Sequence, residues 1–184
     1  MRAIPGVQRW IGYLPEEAQG YFRRLAPEME LRPQRGASLG QRLDYLLREA
    51  LGEVSPGEVS PRAVVIDSDS PTLPAAYISE AFERLAEVEV VLGPTEDGGY
   101  YLMGVKQPQP LLLRQVQMST PHVLNDTLRL AQASKLSVAL LPAWYDVDTL
   151  ADLYRLDGQA ASLEGDHAAA TRDWLKANQK AFRV

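Results

Sequence analysis

Three short acidic segments each follow an apolar run that reads as a strand. Asp67 and Asp69 follow residues 63–66, Glu96 and Asp97 follow residues 88–92, and Asp146 and Asp148 follow residues 137–141. Neighbouring carboxylates repel unless a cation or a proton lies between them. A hard divalent ion takes such oxygens, commonly one or two carboxylates together with substrate phosphates. Where strands run parallel their carboxyl ends share one edge of the sheet, the edge at which open α/β sheets bind ligands. Any one of these segments is also good turn chemistry; their recurrence at three strand ends points to a site. Gly98-Gly99, directly after Asp97, would let the backbone approach a ligand closely, with amides free for phosphate or carbonyl oxygens. The same pair suits a tight hairpin between the runs on either side. Metal-holding carboxylates beside bare backbone, without an evident nucleophile, suit transfer chemistry on a diphosphate. The metal neutralises charge developing on the leaving group, and a carboxylate can take the proton of an acceptor hydroxyl.

The elements that must deliver these groups are marked by periodicity and punctuation. Residues 63–66 form an apolar, β-branched run of the kind buried on both faces of a sheet. Pro71 and Pro74 stop it, and Pro74 suits the start of a helix over 75–88, with Ile78, Ala81, Phe82, Leu85 and Val88 on one face. Strands over 88–92 and 100–105 flank the glycine pair. Strand, helix, strand at this spacing predicts a βαβ unit and a sheet that is at least partly parallel. Upstream, residues 8–13 suit a strand, 16–25 a short helix and 33–36 a loop. Ser38 with Gln41 forms a capping box for a helix over 38–51, whose Leu39, Leu43, Leu46, Leu47, Ala50 and Leu51 share a face before Gly52 stops it. Residues 52–62 read as a surface loop and 108–118 as an irregular connection. Thr120-Pro121 opens a helix to about 133, a further helix covers 149–156, and 157–166 is a polar linker. A terminal helix over 167–182 docks through Trp174, Leu175 and Phe182. His122, Trp10 and Trp144 read as packing or capping residues. The chain is one domain, 1–184, with its core in 8–156.

Composition narrows the classes. A net charge of −5 with no basic block argues against a nucleic-acid binder. The absence of cysteine removes disulfides, thiolate zinc sites and cysteine nucleophiles, and two histidines make an imidazole zinc site a poor fit. No apolar stretch has the length of a membrane span, residues 1–20 lack a signal-peptide core, and a cytoplasmic location is expected.

Three motifs in this order, Asp67-Ser68-Asp69-Ser70-Pro71-Thr72-Leu73-Pro74, then Leu92 to Gly104 around Glu96-Asp97-Gly98-Gly99, then Tyr145-Asp146-Val147-Asp148-Thr149, resemble one family. It is the glycosyltransferase-like branch of the GT-A-fold nucleotide-diphospho-sugar transferases, related to guanylyltransferases acting on molybdopterin and phospholactate. The segment Gln34 to Leu43, including Arg42, resembles the same branch, and the likeness covers roughly residues 8 to 156. It implies a Rossmann-like α/β/α sandwich with a mostly parallel sheet, Mg²⁺ or Mn²⁺, a nucleotide or nucleotide-sugar donor and a small-molecule acceptor. By the resemblance, Asp69 and Asp148 are metal ligands, Asp97 and Asp146 catalytic, and Asp67, Gly98, Gly99, Gln34 and Arg42 substrate-binding. Family members begin with a strand and a Gly/Lys/Arg-rich phosphate loop, to which nothing in residues 1–30 corresponds. The expectation is a sheet without that first strand, with an exposed edge that favours a homo-oligomer. Three alternatives carry different expectations: a nucleotidyltransferase of the guanylyltransferase type, a non-catalytic or truncated homologue acting as a binding module, and a phosphatase of the haloacid-dehalogenase type with Asp67 as nucleophile and Asp69 as acid/base.

Overall fold

The computed structural model describes residues 4–52, 61–163, 165 and 167–182. The expected loop over 52–62 falls mostly outside them. Strands β1 (Trp10–Tyr13) and β2 (Glu30–Pro33) form a parallel pair of their own, joined through a 3₁₀ turn at Glu16–Ala18 and helix α1 (Gln19–Leu25). Helix α2 (Leu39–Leu51) follows, then β3 (Ala63–Ile66), α3 (Ala75–Arg84), β4 (Val90–Pro94), β5 (Tyr100–Val105), α4 (Pro110–Arg114), α5 (Val123–Ala133), β6 (Val138–Leu140), α6 (Leu150–Ala160) and α7 (Ala169–Phe182).

The central sheet has the order β3-β5-β4-β6. β4 pairs with β6 in parallel, whereas β5 runs antiparallel to both of its neighbours. β3, β4 and β6 therefore share one direction, but only one pairing in this sheet is parallel. The βαβ unit β3-α3-β4 is split by β5, which returns through the hairpin. The expectation of a mostly parallel sheet is corrected to a mixed one. The reason is the short connection after β4, which is long enough for a hairpin and too short for a crossover. β3 ends the four-strand order, so one of its edges is unpaired within this sheet.

Helices cover both faces. Leu47 and Leu51 of α2, Leu112 and Leu113 of α4 and Ala131 of α5 pack with Val90, Leu92, Met103 and Val105 on one side. Ile78, Ala81 and Leu85 pack with Val91, Tyr101, Leu102 and Leu141 on the other. The side-chain alternation of β5 breaks at one point. Gly93 pairs with Leu102 but Pro94 pairs with Tyr100, so Tyr101 is the extra residue of a bulge. Tyr101 and Leu102 consequently face the same cluster, while Tyr100 returns to the other. The Tyr101 ring crosses the bare face of Gly93, where a Cβ would lie 2.3 Å from Cζ, and its hydroxyl donates to the Pro142 carbonyl at 3.0 Å.

The helix boundaries follow local chemistry. Ser38 Oγ accepts from Gln41 N at 3.2 Å as expected, while the Gln41 side chain reaches back to Ala37 N at 2.9 Å, one residue before its anticipated partner. The interval 108–118 contains α4, opened by Pro110, and the first four residues of the presumed linker, 157–160, are the last turn of α6. Leu175 and Phe182 of α7 are buried with Leu156 and Ala160 of α6, whereas Trp174 stays exposed and stacks on Phe182. No described helix is long and apolar enough to cross a membrane.

Gly93→Ala forces the Tyr101 ring off its shelf. Overpacking of this kind costs about 1–3 kcal/mol, so thermal unfolding should move down by several degrees, and Tyr101→Leu in the same chain should recover part of the loss. An unchanged melting temperature would mean that the ring has room to shift.

Candidate functional site

The three acidic segments meet because their backbones are sewn together. Past the end of β4–β6 the parallel ladder continues: Leu141 N donates to Leu92 O at 2.9 Å, Trp144 N to Pro94 O at 3.0 Å and Glu96 N to Trp144 O at 3.1 Å. The turn after β3 joins them through Val147 N to Asp69 O at 3.0 Å. Beneath this seam a polar cluster locks the turn after β3 and the loop after β6 to α6. Thr72 and Tyr145 are buried, with their hydroxyl oxygens 3.3 Å apart; Thr72 Oγ1 donates to Gln159 Oε1 at 2.8 Å, and the Tyr145 hydroxyl also donates to Gln159.

Carboxylate oxygens of Asp97, Asp146 and Asp148 lie within 4.8 Å of one another, close enough to share one cation. Asp97 is held by its own loop: its Oδ1 accepts from Thr95 Oγ1 at 2.5 Å and from Gly99 N at 3.0 Å, which leaves Oδ2 for another partner. Asp148 stands directly before the α6 N-cap, where Thr149 and Asp152 form a reciprocal capping box. Asp146 is half-buried; burial raises its affinity for a proton, and Asp97, Asp148 and Asp69 raise it further. Asp69 is exposed and adds its charge beside the three without belonging to the tightest group.

Asp67 is the most perturbed of these acids. Burial pushes its carboxyl up to about 7, Ser70 donating to Oδ2 at 2.8 Å opposes the rise, and Asp69 and Asp146 add to it. Its Oδ1 is buried and has no hydrogen-bond partner among the described residues. Buried polar atoms are ordinarily paired, so this oxygen is open to a proton donor or a cation.

Gly98-Gly99 is the turn of the β4–β5 hairpin and also lies against the start of α5. Gly98 has φ +97, and a Cβ there would stand 2.1 Å from Pro121 O. Its own carbonyl accepts from Leu124 N at 3.0 Å. At Gly99 a Cβ would come 2.8 Å from Thr95 Oγ1 and disturb the hydrogen bonds that fix Asp97. The two remaining expected residues lie elsewhere in the fold. Gln34 spends its amide on Gly12 O of β1 at 2.9 Å. Arg42 lines a cavity of about 450 Å³ between the first turn of α2 and residues 113–119, with Ser38, Arg114, Gln117 and Ser119 also in its wall. The Nε of Arg42 is buried without a hydrogen-bond partner among the described residues.

Sequence reading missed the groups that hold the acids: Ser70, Thr95, Tyr145 and Arg155. The guanidinium of Arg155 bonds both oxygens of Glu96, at 2.6 and 2.9 Å, and lies 3.9 Å from the centre of the Tyr145 ring. It keeps the Glu96 carboxyl below the usual range. Only the Thr149/Asp152 box had a readable signal, the Thr-x-x-Asp spacing.

The chain belongs to the family described as "Uncharacterized protein conserved in bacteria (DUF2064)", whose model matches residues 1–120. Among solved structures it is similar to one from Desulfovibrio desulfuricans G20, titled a "putative nucleotide-diphospho-sugar transferase". The two are 28% identical with a TM-score of 0.82, over 96% of this chain and 76% of that one. No curated protein matches. The neighbour bears out the α/β architecture that the resemblance implied.

Asp67 gives the metal-free protein a distinct pH response. Its folded-state value lies above the unfolded one, so the native state binds the extra proton and stability falls as pH rises. The loss begins above the ordinary carboxylate value of 3.8 and is complete above about 7. Asp67→Asn should flatten this part of the melting-temperature profile recorded in EDTA between pH 4 and 8 and raise the melting point at pH 8. A variant that follows the wild-type curve would show that Asp67 is ionised throughout.

Proposed function

We propose that this protein is a divalent-metal-dependent transferase acting on a nucleotide-activated donor, in the manner of a nucleotide-diphospho-sugar transferase. The observation that carries the reading is the group Asp97, Asp146 and Asp148, assembled at the carboxyl ends of β4 and β6. The donor set is all oxygen and anionic, which fits Mg²⁺ or Mn²⁺ and not a soft metal. Asp97 Oδ2, Asp146 and Asp148 would hold the ion, which when bound offsets charge on the diphosphate leaving group.

The remaining roles fall to the chain's own groups. Asp97 and Asp146, expected as catalytic residues, act in this reading as ligands together with Asp148, while Asp69 stands beside them as a further acid. Asp67 keeps a proton to near neutral pH and has one oxygen unpaired, so it can donate to or accept from a donor hydroxyl. Gly98 and Gly99 let their turn pack closely on Pro121 and Thr95, and that turn fixes Asp97 beside the donor. Arg42 and the amino end of α2 supply positive potential in their own cavity, suited to an anionic part of donor or acceptor. Gln34 supports the loop before α2 through its bond to β1.

Calorimetric titration with uridine, guanosine, cytidine and adenosine diphosphates, with and without Mn²⁺, tests this. One nucleotide should bind with micromolar affinity only when the metal is present. Asp148→Ala should weaken Mn²⁺ binding at least tenfold in a protein with unchanged circular dichroism. Binding of no nucleotide, or binding indifferent to metal, would refute the reading. Release of free nucleoside diphosphate on turnover marks glycosyl transfer, and release of pyrophosphate marks nucleotidyl transfer.

A further inference from the structure

The two loops that carry Asp97 and the Asp146/Asp148 pair approach one another although their charges oppose it. Their backbone seam ends at Glu96 and Trp144, just before the acids. Beyond it, one side chain from a third element touches both loops. Arg155 projects from α6 one and a half turns after the Thr149 cap, bonds Glu96 with both ends of its fork, and stands over the Tyr145 ring. Glu96 directly precedes Asp97, and Tyr145 directly precedes Asp146. Tyr145 is itself immobilised beneath by Thr72 and Gln159.

We propose that Arg155 is the positioning residue of the acidic centre: by clamping Glu96 against Tyr145 it sets the spacing of Asp97 from Asp146 and Asp148 for a divalent cation. This rests on the metal reading of those three acids. The clamp does two things there. It holds the loops at the ligand spacing before a cation arrives, so that binding does not have to organise them. It also ties up the Glu96 carboxylate, which otherwise adds a fourth negative group that could turn toward the ion and distort its shell.

The competing view is an ordinary surface ion pair. Arg155 and Glu96 side chains are 47% and 54% exposed, and pairs of that exposure add little to stability. That low contribution makes the two views separable, since a positioning role predicts lost metal affinity without lost stability. Lysine keeps the charge but lacks both the two-pronged geometry and the flat face that stacks on tyrosine.

The experiment is Mn²⁺ titration followed by electron paramagnetic resonance, paired with thermal unfolding in EDTA, on wild type, Arg155→Lys, Arg155→Met, Glu96→Gln and Asp148→Ala. Residues that orient metal ligands typically change affinity about 10–100-fold. The expected result is a rise of at least about tenfold in the Mn²⁺ dissociation constant for both Arg155 variants, with melting points in EDTA within about 2 °C of wild type, the usual range for a surface change. Glu96→Gln should reproduce part of the loss, and Glu96→Gln combined with Arg155→Lys should be no worse than Arg155→Lys alone. Wild-type affinity in both Arg155 variants overturns the proposal, as does a loss of affinity matched by a large fall in melting point. If wild type takes up no Mn²⁺, or Asp148→Ala binds as wild type does, the metal reading itself fails and the clamp has nothing to position. That outcome is distinct from failure of Arg155 alone.

Discussion

Like charges gathered at one sheet edge set the terms for this structure. Two unit charges 4.8 Å apart, the outer limit of the acidic group, repel by about 1 kcal/mol in bulk water and about 3 at an effective dielectric of 20. Asp97, Asp146 and Asp148 form three such pairs, and Asp67 and Asp69 add to the field. No local preference of the chain would bring them together. They are together because the strands beneath them are joined by backbone hydrogen bonds that take no account of side-chain charge.

The arrangement divides the work between core and rim. In the core, the bulge at Tyr101 places an aromatic ring on Gly93 and sends its hydroxyl to Pro142, which anchors the start of the Asp146 loop from below. At the rim, short polar contacts aim the acids: Thr95 and Gly99 on Asp97, Ser70 on Asp67, the Thr149 cap beside Asp148. The core determines where the loops stand, and the rim determines which oxygen each acid presents.

Burial gives the acids different characters. Asp67 sits deepest among them and holds its proton toward neutral pH, while the exposed Glu96 is kept ionised by its guanidinium partner. Carboxylates separated in this way can hold a cation, carry a proton and stay permanently charged within one small site.

Much of this was legible in the sequence. The helices α2, α3, α5 and α7 announced themselves by apolar spacing, and Ser38, Gly52 and the prolines marked several ends. The strand-terminal acids, too, could be picked out, because an apolar run stopped by Asp and Pro places its carboxylate at a strand end whatever the fold. The sequence could not say which acids would be nearest neighbours. Asp69 was expected to share a metal with Asp148, yet the tight group is Asp97, Asp146 and Asp148, a consequence of β4 lying beside β6 while β3 is held away by β5. Strand order is decided by packing between distant segments, and so is the antiparallel return of β5 across a turn whose glycines suited both a hairpin and a ligand. Arg155 shows the same division: its charge and helix could be read from its neighbours in sequence, whereas its place over Tyr145 and against Glu96, 59 residues away, exists only once the chain has folded.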